Sequence, residues 1–259
     1  MDFTFGIVTA GGNEQFIQTI IQTIRNENIP NYEIIIVGSC LLNDPDVTII
    51  PFDESIRYGW ITMKKNMCCQ LAKYENIVLL HDYVSLSPGW YKGFLEYGNN
   101  FEYCVTKIIN TDGKRYRDFC IYTHSMPNMP EECTKKALLP YGYNPSPELS
   151  KLLYISGAYY VIKKHIALKY PLDERLSIGM GEDVVLSQIL AMNNIYIKSN
   201  SNSSVQLLKY KNPMEWEIEI EPHTLQKLET TPAHILEEYF TNQKRHLYMW
   251  LYNNYNVLL

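Results

Sequence analysis

The chain has 259 residues, 46% hydrophobic and 20% charged, proportions that exclude a disordered or fibrous protein and allow a sizeable core. Its 23 Lys+Arg against 28 Asp+Glu give a net charge of −5, the wrong balance for the basic face of a nucleic-acid binder. No apolar run approaches the roughly 18 residues needed to span a bilayer. Met1-Asp2-Phe3-Thr4-Phe5 runs straight into a strand pattern with no basic leader, so the expectation is a cytoplasmic protein without a transmembrane segment. Cys40, Cys68, Cys69, Cys104, Cys120 and Cys133 have no zinc-ligand spacing, which suits buried thiols in a reducing compartment.

Phe3 to Thr9 reads as a strand ended by Ala10-Gly11-Gly12. Asn13 can cap a helix whose apolar positions Phe16, Ile17, Ile20, Ile21 and Ile24 follow the 3.6-residue period. Tyr32 to Gly38 is a continuous apolar run, the mark of a strand covered on both faces, and Val47 to Phe52 is another. A helix from about Trp60 to Tyr74 precedes a fourth strand, Asn76 to Leu80. This alternation predicts a mostly parallel sheet between helices.

The second half changes character. A short helix from Pro88-Gly89-Trp90 to Tyr97 is followed by two strands, Tyr103 to Asn110 and Lys114 to Tyr122, joined at Thr111-Asp112-Gly113 as a hairpin. The prolines between Ser125 and Ser150 predict a long irregular loop or lid. Leu152 to Ile162 reads as one strand, Glu182 to Met192 as a helix, and Thr231-Pro232 as the cap of a last helix reaching about Tyr252. The apolar stripe of that helix fits packing on the domain, with a homodimer contact or membrane-surface attachment as alternatives.

In such sheets ligands bind beyond the strand carboxyl ends, which directs attention to Thr9-Ala10-Gly11, Asp53 and His81-Asp82-Tyr83. Asp82, after a buried strand, can hold a divalent cation against a diphosphate or simply start a turn; His81 can ligate the metal or sit neutral. In Gly179-Met180-Gly181-Glu182-Asp183 two acids open a helix, where the macrodipole favours them and where one could act as general base. Arg57 and the helix bearing Lys64 and Lys65 could neutralise phosphate. Adjacent lysines cannot share one helical face, so one at most is expected to face the site.

In this order the segments resemble the GT-A superfamily of nucleotide-sugar-dependent glycosyltransferases, in particular its inverting, family-2-like branch. The carriers are Phe5-Gly6-Ile7-Val8-Thr9, Glu33 to Gly38, Trp60 to Asn66 with Tyr74-Glu75-Asn76-Ile77-Val78, His81-Asp82-Tyr83 at the metal motif, Ile155-Ser156-Gly157-Ala158, Leu172-Asp173-Glu174 and Gly181-Glu182-Asp183. They extend from Phe3 to Ala191. The resemblance implies an α/β GT-A fold: a Rossmann-like, mostly parallel sheet flanked by helices, with a small antiparallel extension on the acceptor side. Residues 1–200 would form the transferase domain, 1–100 its nucleotide-sugar half and 101–200 its acceptor half, with 201–259 a C-terminal extension.

It also implies sugar transfer, with inversion, from a donor expected to be UDP-linked to a hydroxyl on a glycan, protein or small molecule. Thr9, Ala10, Asp53, Arg57, Lys65, Asn66 and Asp82 would contact the donor, and Gly157 and Trp60 would lie on the acceptor side. Mn²⁺ or Mg²⁺ would bind Asp82 with His81 and His223, while Asp183 would be the base and Glu182 its alternative. The family's paired metal-site acids are reduced here to Asp82 alone. The absence of a Q-x-x-R-W segment after Asp183 excludes the processive membrane synthases. Alternatives are an inactive nucleotide- or glycan-binding protein on this fold, or a retaining transferase.

Overall fold

A computed structural model describes residues 1–122, 136–212 and 218–259. The first half contains β1 (Phe3–Val8), α1 (Glu14–Asn26), β2 (Tyr32–Val37), β3 (Val47–Ile50), α2 (Ile61–Leu71), β4 (Asn76–His81), β5 (Val84–Leu86) and α3 (Trp90–Tyr97). Then come β6 (Tyr103–Ile109), β7 (Phe119–Tyr122), β8 (Lys136–Leu138), α4 (Pro147–Ser150), β9 (Leu153–Ile155), β10 (Tyr159–Lys163), α5 (Lys164–Lys169) and α6 (Glu182–Met192). The chain finishes with β11 (Ile197–Leu207), β12 (Ile218–Glu219), α7 (Pro222–Glu229) and α8 (Ala233–Tyr255).

The main sheet has the order β3-β2-β1-β4-β10-β6-β11-β5. Its first four strands are parallel, as their apolar runs require, and β6 is parallel to β11. β10 is antiparallel to both neighbours, and β5 is antiparallel to β11. A smaller sheet, β12-β8-β7-β9, is antiparallel except where β12 joins β8. β11 crosses residue 200, so the main sheet continues into the C-terminal segment.

α1 buries Ile17, Ile20, Ile21 and Ile24 against this sheet, the face its periodicity predicts. α2 ends at Leu71 rather than near Tyr74 because the next amides are captured elsewhere: Lys73 N–H donates to Glu33 and Tyr74 N–H to Thr4. Trp90 and Tyr159 are core residues, both fully buried. Trp90 packs among Phe3, Phe5 and Phe94, with centroids 5.0, 5.7 and 4.4 Å away, and its Nε1 donates to Tyr159 at 2.9 Å. α8 places Leu236 and Phe240 in the main core, while Leu251 joins Leu176 and Val185 in a smaller cluster.

Two expected elements differ. The hairpin after β6 lasts only to Tyr116, whose amide still donates to Ile108. Buried Asp118 then accepts from the amides of Ile108 and Phe119, with Arg115 balancing its charge, and the chain leaves for the smaller sheet as β7. The single strand expected from Leu152 to Ile162 is divided at Ser156-Gly157-Ala158, with β9 in one sheet and β10 in the other. The proline-rich segment holds β8 and α4; its residues 125–135, with Cys133, lie outside the described residues. No helix among the described residues is long and apolar enough to cross a membrane.

Trp90→Ala removes the ring that ties α3 to the sheet and should destabilise the protein by about 3–5 kcal/mol. Urea unfolding followed by circular dichroism measures this. A change below about 1 kcal/mol, typical of surface sites, would contradict the packing described.

Candidate active site

Three strand ends meet at the site. Val8 of β1 lies opposite His81 of β4 in the parallel ladder, so Thr9 and Asp82 leave their strands side by side. β10 pairs antiparallel with β4, Tyr159 opposite Leu80. The sheet-switching corner at Gly157 therefore sits at the same end, with the His81 amide donating to the Ala158 carbonyl at 2.9 Å.

Asp82 is held in place by its neighbours. Its Oδ2 accepts from Thr9 Oγ1 at 2.6 Å and from Asn13 Nδ2 at 2.9 Å. Asn13 occupies the cap position of α1, but its side chain makes no cap bond there; it reaches the carboxylate instead. The backbone of Thr9 is crowded by Gly38, which has φ of +143°; a Cβ on Gly38 would lie 2.0 Å from the Thr9 carbonyl oxygen. Only glycine fits there.

α2 supplies two buried ammonium groups. Lys64 Nζ donates to the Thr9 carbonyl at 2.9 Å and pairs with Glu54. Lys65 Nζ donates to the Gly157 carbonyl at 2.6 Å and lies 4.0 Å from Glu182 Oε1. The expectation that only one would face the site is thus corrected. α2 is buried on more than one face, so its neighbouring lysines brace two different strand ends. Burial pushes the Lys65 ammonium below its ordinary value, with Glu182 and Asp183 opposing the shift.

The acids open α6. Asp183 Oδ2 accepts from Gly157 N–H and its Oδ1 from Val184 N–H, both at 2.9 Å. Glu182 fits beneath the corner because Gly157 has no side chain; a Cβ there would stand 2.6 Å from Glu182 Oε1. Burial, and then Asp183, push the Glu182 carboxyl up to about 7, with Lys65 acting against them.

His81 is buried and its Nε2 has no hydrogen-bond partner among the described residues. Burial, then the charges of Lys65, Lys211, Lys64 and Lys209, push its imidazole well below the usual value. The residues that would hold a divalent cation are Asp82, whose Oδ2 is already engaged by Thr9 and Asn13, and His81, whose Nε2 is orphaned. This donor set fits Mn²⁺ or Mg²⁺ only as an ion completed by substrate phosphate. No group of three His, Cys, Asp or Glu side chains among the described residues could hold a metal ion. Hence His81, Asp82 and His223 do not form a three-ligand site; His223 is exposed on the first turn of α7, with Nε2 3.3 Å from Thr224 Oγ1.

Other expected donor and acceptor contacts serve as a clamp. Arg57 donates to the carbonyls of Glu174 and Arg175, Trp60 Nε1 donates to the Glu174 carbonyl at 2.7 Å, and Asn66 bonds the amide and carbonyl of Leu172. Together they fix the segment leading to α6. Exposed Asp53 accepts from the Ser55 amide, and the Ser55 hydroxyl, then that amide, lower its pKa. Ala10 is exposed beside Gly11. Asn13, Lys209 and Lys211 are not singled out as contacts in the sequence. The usable signals were the polar residue after Gly11-Gly12 and the Lys-x-Lys spacing after a strand.

No family model and no curated protein matches the sequence, whereas solved structures match the fold. GalNAc-T7 with UDP, GalNAc and Mn²⁺ aligns with a TM-score of 0.56 at 14% identity, over 92% of this chain and 47% of that one. TarS of S. aureus gives 0.55 at 12% identity, over 93% and 42%. Its residues 1–349 in complex with UDP-GlcNAc give 0.56 at 10% identity, over 98% and 74%. The chain thus spans less than half the length of GalNAc-T7 and of the longer TarS chain. The likeness is one of fold: this chain has the α/β fold of the GT-A-type glycosyltransferases.

Proposed function

We propose that the protein is a nucleotide-sugar-dependent glycosyltransferase that moves a sugar from a UDP-linked donor to an acceptor hydroxyl with inversion. The carrying observation is the convergence of Asp82, Gly157 and the Glu182–Asp183 pair on one end of the sheet, braced by Lys64 and Lys65. The donor lies over Thr9 and Asp82, and the acceptor enters by the Gly157 corner. Solved neighbours of the same fold carry UDP and UDP-GlcNAc, which supports a UDP-sugar as the donor to test first.

Asp183 takes the acceptor's proton in this reading. Two backbone amides fix its carboxylate, and each oxygen can accept a further hydrogen bond. As the acceptor oxygen bonds to the anomeric carbon, the bond to the UDP oxygen breaks. The proton passes to Asp183 and the electron pair leaves with UDP. Lys65 holds the corner and balances the acid pair, acting as a positioning residue. Asp82 and His81 would hold Mn²⁺ or Mg²⁺, which when bound supplies positive charge to the diphosphate.

Asp183→Asn should lower turnover by about 10²–10⁴-fold while leaving UDP affinity within about twofold, a difference of some 0.4 kcal/mol. UDP release across a panel of UDP-sugars and calorimetric UDP binding are the two measurements. Full turnover in this variant would reject Asp183 as the base, and a product anomer matching the donor would reject inversion.

Glu182 gives a pH dependence. Between its ordinary value of 4.5 and about 7, the folded protein keeps a proton that the unfolded chain releases. The corresponding stabilisation is present below the lower value, fades as pH rises and is gone above the upper one. Glu182→Gln should flatten that slope, becoming more stable relative to the parent at pH 8 than at pH 5. Urea unfolding at both pH values tests this; parallel slopes would refute it.

A further inference from the structure

The segment after β11 carries Lys209-Tyr210-Lys211, and the fold delivers both lysines to the Asp82 corner. Leu207 pairs with Val84 at the end of the β11–β5 ladder, and the Leu208 amide donates to the Tyr83 carbonyl at 2.8 Å. Beyond that point buried Asn110 secures the backbone: its Nδ2 donates to the Lys211 carbonyl at 2.6 Å, and its Oδ1 accepts from the Lys211 amide at 3.1 Å. Both ammonium groups lie 4.4 Å from the centroid of the Tyr83 ring, next in sequence to Asp82.

This is a surplus of positive charge. Lys64 is paired with Glu54, and Lys65 stands by Glu182. Among the described residues Lys209 and Lys211 have no carboxylate in ion-pair contact. Burial, Lys209 and Arg117 disfavour the charged form of Lys211, with Asp82 the group opposing them. The buried His81 nitrogen without a partner belongs to the same corner, its ring edge-on to Tyr83 at 5.5 Å. Like charges gathered on one aromatic ring repel one another, and a multivalent anion would relieve that repulsion.

We propose that Lys209 and Lys211 bind the donor's diphosphate directly and stabilise the charge that develops on the departing UDP. Ammonium groups act on phosphate as point charges, and positive groups fixed before the reaction stabilise a leaving anion without reorganising. The identity of the anion rests on the UDP-sugar reading above. The lysine contribution is separate from that of a metal at Asp82, so part of the diphosphate affinity persists in a chelator.

The test is calorimetry of the full chain with uridine, UDP and inorganic pyrophosphate, each with EDTA and with Mn²⁺. It compares the parent with Lys209→Met, Lys211→Met, the double variant and the double Lys→Arg variant. In EDTA the Met variants should lose about tenfold in affinity for UDP and pyrophosphate, with uridine binding unchanged and the Arg variant recovering most of the loss. UDP and pyrophosphate binding in EDTA that is equal in parent and double Met variant would overturn the proposal while leaving the UDP-sugar reading intact. Lysine-dependent pyrophosphate binding, with no affinity for uridine or UDP, would uphold the anion site and overturn that reading.

Discussion

The site depends on two adjacent buried lysines. Removing an ammonium group from water costs several kcal/mol unless oxygen ligands replace the water. Lys64 and Lys65 find those ligands at two strand ends of the main sheet: Thr9 with Glu54, and Gly157 with Glu182. α2 thereby acts as a cross-brace between the half of the site that holds Asp82 and the half that holds the acid pair. Methionine at either position would fill the space and leave a carbonyl and a carboxylate without their cation.

Much of this was legible in the sequence because continuous apolar strands and a 3.6-residue helical stripe carry their own signal. The first four strands, α1 and α6 follow from such patterns. So do the positions of Asp82 and of Glu182–Asp183, since an acid at the end of a buried strand or the start of a helix has few places to go. Less legible were the points where a side chain overrides a backbone tendency. Asp118 takes the Ile108 amide that a longer hairpin would have used. The break at Gly157 is hidden inside an apolar run because its causes, Asp183 and Lys65, are distant in sequence.

The same distance hid the second pair of lysines. Periodicity places Lys64 and Lys65 on different faces of α2 and says nothing about whether both faces are buried. Lys209 and Lys211 come to the site through the pairing of β11 with β5, more than a hundred residues earlier in the chain. The net charge of −5 is therefore uninformative about this corner, where local geometry gathers positive groups that the whole-chain sum conceals.

The corner at Gly157 has a consequence for how the protein acquires its shape. β9 and β10 belong to different sheets, and Gly157 between them is bonded to α2 and α6. The acids cannot take up their positions until both sheets and both helices have docked, an arrangement built from contacts far apart along the chain. Such contacts form slowly, after local structure is in place. The parallel strands β1 to β4 can therefore assemble ahead of the acid pair, making completion of the site one of the last events of folding.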